Sequence, residues 1–303
     1  MSDATSPAAP AASSFAAPFA ALLLGALAMG ISPVFVRLAD VGPFASAFWR
    51  VTAALPLIWL WAAWETRRRG EPLATTFRFD RPILLTGLSF TVDLLFWHLA
   101  ILHTTVANAT FLATTAPVWV ILFSGLFIGE RVRRQEVYGL FLCLAGAVAL
   151  IGVSYSARPD HVAGDLLGVA TSVFFGLYFL AVRVARRTSG TGRIIFLSSL
   201  LTAVILFAVA TIFEDRILPS SLEGIGAIAG LSLISHTGGQ GFLAYALGFL
   251  PASFSSLVIF IESLAAALFG WVFLGEAILP LQALGGALIM AGIVVASPRR
   301  RRP

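Results

Sequence analysis

The chain has 303 residues, of which 58% are hydrophobic and only 12% charged, with a formal net charge of +5. Several apolar runs reach about 20 residues, the length that a helix needs to cross roughly 30 Å of hydrocarbon, and this excludes an ordinary soluble domain. The chain has no lysine, and its arginines lie between the apolar runs, so the high isoelectric point indicates membrane topology rather than nucleic-acid binding.

A polar leader rich in Ala, Ser and Pro precedes the first apolar run. Residues 1–14 lack the basic residues that begin a signal peptide, so we expect a disordered cytoplasmic tail. Cys143 is the single cysteine and lies inside an apolar run, which excludes an internal disulfide and predicts a small core residue. We therefore expect no metal or other cofactor.

Hydrophobic patterning predicts ten membrane-spanning helices with short connections that carry Gly, Pro or charged residues. In chain order the predicted helices are Phe15–Ala39, Phe44–Trp64, Pro82–Leu102, Val106–Ile128, Gln135–Val153, Asp165–Arg186, Arg193–Phe213, Leu222–Phe249, Pro251–Leu274 and Pro280–Ala296.

The arginines divide unequally between the two sides that ten helices define. If both termini face the cytoplasm, sixteen arginines lie on the inner side, including those of a basic cytoplasmic tail at residues 298–303. Three lie on the outer side: Arg37, Arg158 and Arg216. Because cytoplasmic loops carry the excess of positive charge, we predict a multi-pass protein of the plasma (bacterial inner) membrane with cytoplasmic termini.

The chain repeats itself after 146 residues. This offset superimposes small and polar residues of the two halves without a gap: Gly129-Glu130 on Gly275-Glu276, Gly139 on Gly285, and Ala145-Gly146 on Ala291-Gly292. A period of half the chain indicates a duplication, here of residues 15–153 in residues 165–297. Five helices is an odd number, so the second copy must cross the membrane in the opposite direction. The predicted fold is an all-α membrane protein of ten helices in two inverted repeats, as in secondary transporters.

Two helices are expected to deviate from a regular α-helix. In helices three and eight the offset is 143, so three extra residues in helix eight must form a bulge or a looser turn, expected at Gly238–Gly241. Pro117 should bend helix four near mid-membrane. Glu130 and Glu276 end helices four and nine, where an acid is unfavourable, so each should have a hydrogen-bond partner in the turn that follows.

Ionisable side chains deep in a membrane helix are costly and mark candidate sites. Asp93 lies near the centre of helix three and shares a face with Trp97 through the i, i+4 spacing, which predicts a cavity wall with a carboxylate beside an aromatic ring. His98 is turned by about 100° from Trp97 around the helix axis, so the two side chains need not face the same space. The alternative for Asp93 is a structural hydrogen bond to a neighbouring helix.

The second half supplies further candidates. Glu262 lies in a stripe of small and polar residues on helix nine, so its carboxylate should face a cavity or another helix rather than lipid. His236 and Gln240 are one turn apart where glycines loosen helix eight, and unwound backbone is tolerated along a cavity. Thr114, near the expected bend, and Tyr178, in an aromatic group, complete the predicted substrate-binding set. Aromatic residues in membrane helices more often serve packing.

Arg50 follows Phe48-Trp49 about two turns into helix two. It could bind a carboxylate in an outer vestibule, but its aromatic neighbours favour an arginine that reaches to the interface. We therefore predict that Arg50 is an interfacial anchor outside the site.

The chain resembles the drug/metabolite transporter superfamily, and within it the EamA family. The resemblance rests on the runs Leu126-Phe-Ile-Gly-Glu130 and Val272-Phe-Leu-Gly-Glu276, on the stretch 100–109 (AILHTTVANA), and on Thr115-Ala-Pro117. It implies export or exchange of small metabolites through a cavity formed by helices one, three, four, six, eight and nine, as in YddG-like exporters of aromatic amino acids. Family members often have Glu-Pro in helix nine. This chain has Glu262-Ser263 and lacks that kink, so helix nine should bend less than helix four.

Other classes fit less well. An exporter of other amphiphilic metabolites or drugs is the nearest alternative. An intramembrane enzyme could use Ser89 or Ser232 with His236, but no group to orient the base is apparent. An assembly subunit leaves the mid-membrane acids unexplained, and no Walker motif suggests ATP as the driving force. We expect a small-molecule substrate, a surrounding bilayer and no nucleic acid; the oligomeric state stays open, and a monomer is compatible.

Overall fold

The structure is a computed structural model that describes residues 15–152, 159–274 and 279–298. The predictions for residues 1–14, for Arg158, for Gly275-Glu276 and for the basic tail at 299–303 concern residues outside these ranges.

Ten helical segments of the described chain confirm the predicted fold. They are α1 (Ala16–Gly30 and Ser32–Leu38), α2 (Pro43–Thr52 and Leu55–Arg68), α3 (Arg81–His103), α4 (Val106–Ala113, Ala116–Phe123 and Ser124–Ile128), α5 (Arg134–Ile151), α6 (Val162–Ala185), α7 (Thr191–Phe213), α8 (Leu222–Gly230, Leu231–Gln240 and Gly241–Ala246), α9 (Ala252–Val258 and Phe260–Leu274) and α10 (Pro280–Ala296). Eight are long and apolar enough to cross a membrane by length and composition. Of the other two, α10 is shorter and α8 contains more polar residues.

Local chemistry sets several helix boundaries. A carboxylate or hydroxyl before the first turn accepts a hydrogen bond from a free N–H group: Asp80 from Ile83 N at 3.0 Å, and Ser221 from Gly224 N at 2.9 Å. Gly129 ends α4 with φ +69°, a left-handed conformation that glycine adopts at little steric cost. Gly129-Glu130 therefore combines a helix stop with an acid placed just beyond it.

Facing glycines on α5 and α10 establish the inverted relation of the two repeats. A Cβ atom on Gly139 would lie 2.6 Å from the carbonyl oxygen of Gly292, and one on Gly146 would lie 2.5 Å from that of Gly285. Gly139 is equivalent to Gly285 at the offset of 146, and Gly146 to Gly292. Gly139 therefore contacts the equivalent of Gly146, and Gly146 contacts the equivalent of Gly139. A two-fold axis between the halves produces this reciprocal pattern.

A second symmetric contact joins α2 and α7. The Glu65 carboxylate on α2 accepts hydrogen bonds from Thr191 N and Gly192 N at the start of α7, at 3.1 and 2.8 Å. The Glu214 carboxylate after α7 accepts bonds from the first N–H groups of α2, at 2.6 and 2.9 Å. Each helix thus provides an acid that satisfies the amino terminus of the other, where negative charge is favourable.

Glu65→Ala should destabilise the protein by about 1–2 kcal/mol, because two N–H groups lose their acceptor and the α7 amino terminus loses a stabilising charge. Thermal unfolding of the purified protein in detergent measures this. Glu223→Ala, which removes an exposed acid on α8, should change the midpoint little. Equal midpoints for both variants would show that the Glu65 contact contributes nothing to stability.

Irregular segments of α8 and α4 occur where the sequence predicted them, and another occurs in α9. Leu231–Gln240 of α8 is a π-helix, which confirms the looser turn near Gly238–Gly241 and extends it. In α4, two residues interrupt the helix before Pro117, which confirms the predicted bend. In α9 the single residue Ile259, the equivalent of the last residue before the α4 interruption, interrupts the helix although no proline is present there.

Glu130 is held by other helices rather than by its own following turn. Its Oε1 lies 2.5 Å from Nε of Arg183 on α6, and its Oε2 accepts a bond from Ala252 N at the start of α9, at 2.9 Å. The predicted partner in the next turn was therefore wrong, because the left-handed Gly129 directs the acid toward the second repeat. The contact joins α4, α6 and α9 at the end of the bundle that carries most arginines, here called the arginine-rich end.

Asp40 performs a similar joining role at the opposite end. Its Oδ2 accepts bonds from the Ser220 hydroxyl and amide, at 2.7 and 2.9 Å, and from Ser221 N at 2.9 Å. The Ser220 bonds hold the pKa of Asp40 well below its ordinary value. The carboxylate therefore stays charged and connects the α1–α2 loop to the start of α8.

Candidate functional site

A cavity of about 70 Å³ lies between the two repeats, bounded by α1, α2, α3, α4, α6, α8 and α9. This is the predicted set of helices with α2 added. Five of the eight predicted substrate-binding residues line it: Asp93, Trp97, Thr114, Gln240 and Glu262. Both repeats thus contribute an acid to the same space.

The interrupted helices α4 and α9 both line this cavity. Thr114 lies at the interruption of α4, where its hydroxyl donates to Phe111 O at 2.7 Å and satisfies a carbonyl of the last turn. Glu262 follows the interruption at Ile259 by three residues, and both Thr114 and Glu262 line the cavity. Broken helices that expose polar groups to a midplane cavity are a recurring feature of secondary transporters.

Arg50 lies inside the cavity, so the prediction of an interfacial anchor was wrong. Its side chain is only 8% exposed and lines the same space as Asp93 and Glu262. Seven residues separate it from Pro43 at the start of α2, a depth of about 10 Å. This depth indicates that Arg50 lies far from the interface. The prediction gave more weight to the adjacent aromatic pair Phe48-Trp49.

Several cavity-lining polar atoms make no hydrogen bond to the described residues. They are Ser32 Oγ, Arg50 Nε, Thr110 Oγ1 and Gln240 Oε1, all buried. Buried polar groups in proteins are nearly always hydrogen-bonded, so a group of exceptions around one space calls for an explanation. The residues that line the cavity therefore keep hydrogen-bonding capacity that no described residue uses.

Three predicted residues lie behind the cavity wall, in contrast to the prediction. His236 shares a hydrogen bond of 2.7 Å between its Nε2 and Ser199 Oγ, and its ring stacks on Phe90, which lines the cavity. Tyr178 also packs against Phe90, with ring centroids 5.1 Å apart. His98 donates from Nδ1 to Leu94 O at 2.7 Å, a hydrogen bond within its own helix α3.

The serine–histidine pairs of the enzyme hypothesis are not formed. The Ser232 hydroxyl contacts the main-chain carbonyls of Trp49 and Ile228, at 3.0 and 2.9 Å, and His236 pairs instead with Ser199. The described structure therefore contains no activated Ser232.

Ten helices in two inverted halves around a polar cavity are the architecture of a secondary transporter. The model of the EamA-like transporter family matches residues 17–152 and again residues 162–297. The chain belongs to this family and is a multi-pass integral membrane protein.

Relatives with descriptive names are exporters. Over 220 aligned residues the chain is 28% identical to the pseudopaline exporter CntI of Pseudomonas aeruginosa. The aligned part covers 72% of this chain and 75% of that protein. Over 231 aligned residues it is 29% identical to a probable terminal-alkyne amino-acid exporter of Streptantibioticus cattleyicolor. This aligned part covers 72% of this chain and 73% of that protein. A solved crystal structure superimposes with a TM-score of 0.78 at 23% identity, over 95% of this chain and 97% of the other, and shares the fold.

Proposed function

We propose that the protein exports small amphiphilic zwitterions, foremost aromatic or hydrophobic amino acids and metabolites derived from them. One observation carries this proposal: a single cavity between the repeats is lined by the buried Arg50, the buried Asp93 and the half-buried Glu262. Buried charges of both signs are costly unless they pair with each other or bind a charged ligand. A substrate with an ammonium and a carboxylate would complement them. The names of the two exporter relatives support this class.

The lining residues have distinct roles in this proposal. Trp97 and Phe175 provide the apolar surface for a hydrophobic side chain. Asp93 and Glu262 bind the substrate ammonium, while Thr114 and Gln240 supply further hydrogen bonds. His98, Tyr178 and His236 support the wall from behind.

Transport would proceed by alternating access. The cavity of about 70 Å³ is small beside the roughly 300–1,000 Å³ of typical small-molecule sites, so the repeats must move apart to admit substrate. The Glu130–Arg183 contact closes the arginine-rich end, which faces the cytoplasm in this proposal because positive charge accumulates there. Release of this contact would open the cavity to cytoplasmic substrate.

Counterflow in proteoliposomes tests the proposal. Vesicles that contain purified protein and unlabelled amino acids should accumulate the labelled amino acid faster than protein-free vesicles, most strongly for phenylalanine and other apolar amino acids. Exchange of other amphiphilic metabolites but no amino acid would favour the alternative exporter. If neither class exchanges, the proposed function is wrong.

A further inference from the structure

The three charges of the cavity come from three different walls. Arg50 is on α2, Asp93 on α3 and Glu262 on α9. Among the described residues, no carboxylate oxygen lies within 4.0 Å of the Arg50 guanidinium, and its buried Nε has no hydrogen-bond partner. The cation and the acids therefore share one space without neutralising each other by direct contact.

We propose that Arg50 binds the carboxylate of the substrate and so restricts transport to molecules that carry one. This inference rests on the proposed function and assigns the substrate its orientation, with the carboxylate toward α2 and the ammonium toward Asp93 and Glu262. The guanidinium presents a planar set of donors that matches a carboxylate with two parallel hydrogen bonds.

The backbone next to Arg50 is fixed from both sides. Nε1 of Trp49 donates to Ile217 O at 2.9 Å, and Trp49 O accepts a bond from the Ser232 hydroxyl at 3.0 Å. The following residue, Val51, is fully buried. These contacts hold this turn of α2 in one orientation, so the guanidinium enters the cavity from a fixed position, as a binding residue requires.

Two half-buried arginines of the bundle each make two direct hydrogen bonds. Arg183 binds the Glu130 carboxylate and Leu247 O, and Arg186 donates to Ala244 O and Ser189 O. These contacts join helices at the arginine-rich end. The contrast indicates that Arg50 does not serve as a structural connector.

The expected consequence is discrimination between an amino acid and its decarboxylated amine. Loss of a charge-assisted hydrogen bond costs about 1.5–3 kcal/mol, which corresponds to roughly 10–100-fold in affinity. The wild-type protein should therefore bind L-phenylalanine at least about tenfold more tightly than phenethylamine. If another amino acid exchanges best in counterflow, that amino acid and its amine form the test pair.

The experiment measures inhibition of counterflow and ligand-induced thermal stabilisation for both probes. Arg50→Gln should lose roughly 10–100-fold in affinity for phenylalanine and little for phenethylamine, while Arg50→Lys should retain part of the preference. Trp97→Ala is the matched control in the same cavity and should weaken both probes alike. Arg68→Gln, an exposed arginine at the end of α2, should behave as wild type.

Several results would overturn the inference. One is equal wild-type affinity for the two probes, which needs no variant and decides the matter even if Arg50→Gln fails to fold. Another is an equal loss for both probes in Arg50→Gln or Arg50→Lys. Absence of any amino-acid exchange by the wild type would instead refute the proposed function. Amino-acid exchange with an undiminished carboxylate preference in Arg50→Gln would refute only the role of Arg50.

Discussion

Gly146→Leu is expected to abolish assembly of the two repeats. A Cβ atom at this position would lie 2.5 Å from Gly285 O and 2.8 Å from Ile289 N, both main-chain atoms that cannot move aside as a flexible side chain does. Gly146→Ala should already cost about 1–3 kcal/mol, the usual range for overpacking, and leucine considerably more. Size-exclusion chromatography and thermal unfolding in detergent measure the effect.

The facing glycine and an uncrowded glycine supply the matched controls for this crossing. Gly285→Ala should destabilise as much as Gly146→Ala, because each Cβ would contact the carbonyl oxygen of the other glycine at 2.5 Å. Gly226→Leu should be tolerated, since a Cβ there has no neighbour within 4 Å among the described residues. A Gly146→Leu protein that elutes and unfolds as wild type would show that α5 and α10 do not pack closely.

Neutralising the cavity acids should reduce transport without impairing the fold. Asp93→Asn and Glu262→Gln each remove a charged partner of the substrate ammonium, so counterflow should fall by roughly 10–100-fold. Because a buried charge destabilises the folded protein, the thermal midpoint should stay constant or rise. The two variants therefore separate binding from stability.

Glu223→Gln serves as control for this pair, because it neutralises an exposed acid on α8 away from the cavity, and it should transport at the wild-type rate. Wild-type counterflow in both Asp93→Asn and Glu262→Gln would contradict the assignment of the acids. If transport and the amount of folded protein fall in parallel, the two substitutions act through the structure and not through substrate binding.

Much of the fold follows from the duplication, since the odd number of helices in each repeat dictates inversion. The π-helix of α8 was foreseeable because an offset of 143 instead of 146 leaves residues that a regular helix cannot accommodate. The interruption of α9 at Ile259 was not foreseeable, because the search for a kink relied on proline.

The site was less accessible to sequence reasoning, because the pattern of an apolar helix does not reveal which face lies inward. Asp93 and Glu262 were identified since charge in hydrocarbon is costly wherever it points. Arg50 obeys the same rule, but the neighbouring Phe48-Trp49 favoured an interfacial role. His236 and His98 satisfied the rule too, and their hydrogen bonds to Ser199 and Leu94 place them behind the wall. Only the three-dimensional contacts separate these cases.

The most direct test of a water-filled pathway between the repeats is the reactivity of Thr114→Cys toward a membrane-impermeant cationic thiol reagent. The sole native cysteine, Cys143, is fully buried, so the wild-type protein should remain unlabelled. We predict that Thr114→Cys is labelled from both sides of the membrane and is protected by transported substrate. Leu122→Cys, on the same helix but 61% exposed on the outer surface of the bundle, should stay unlabelled in lipid. A transport-competent Thr114→Cys protein that resists the reagent from both sides would contradict the account.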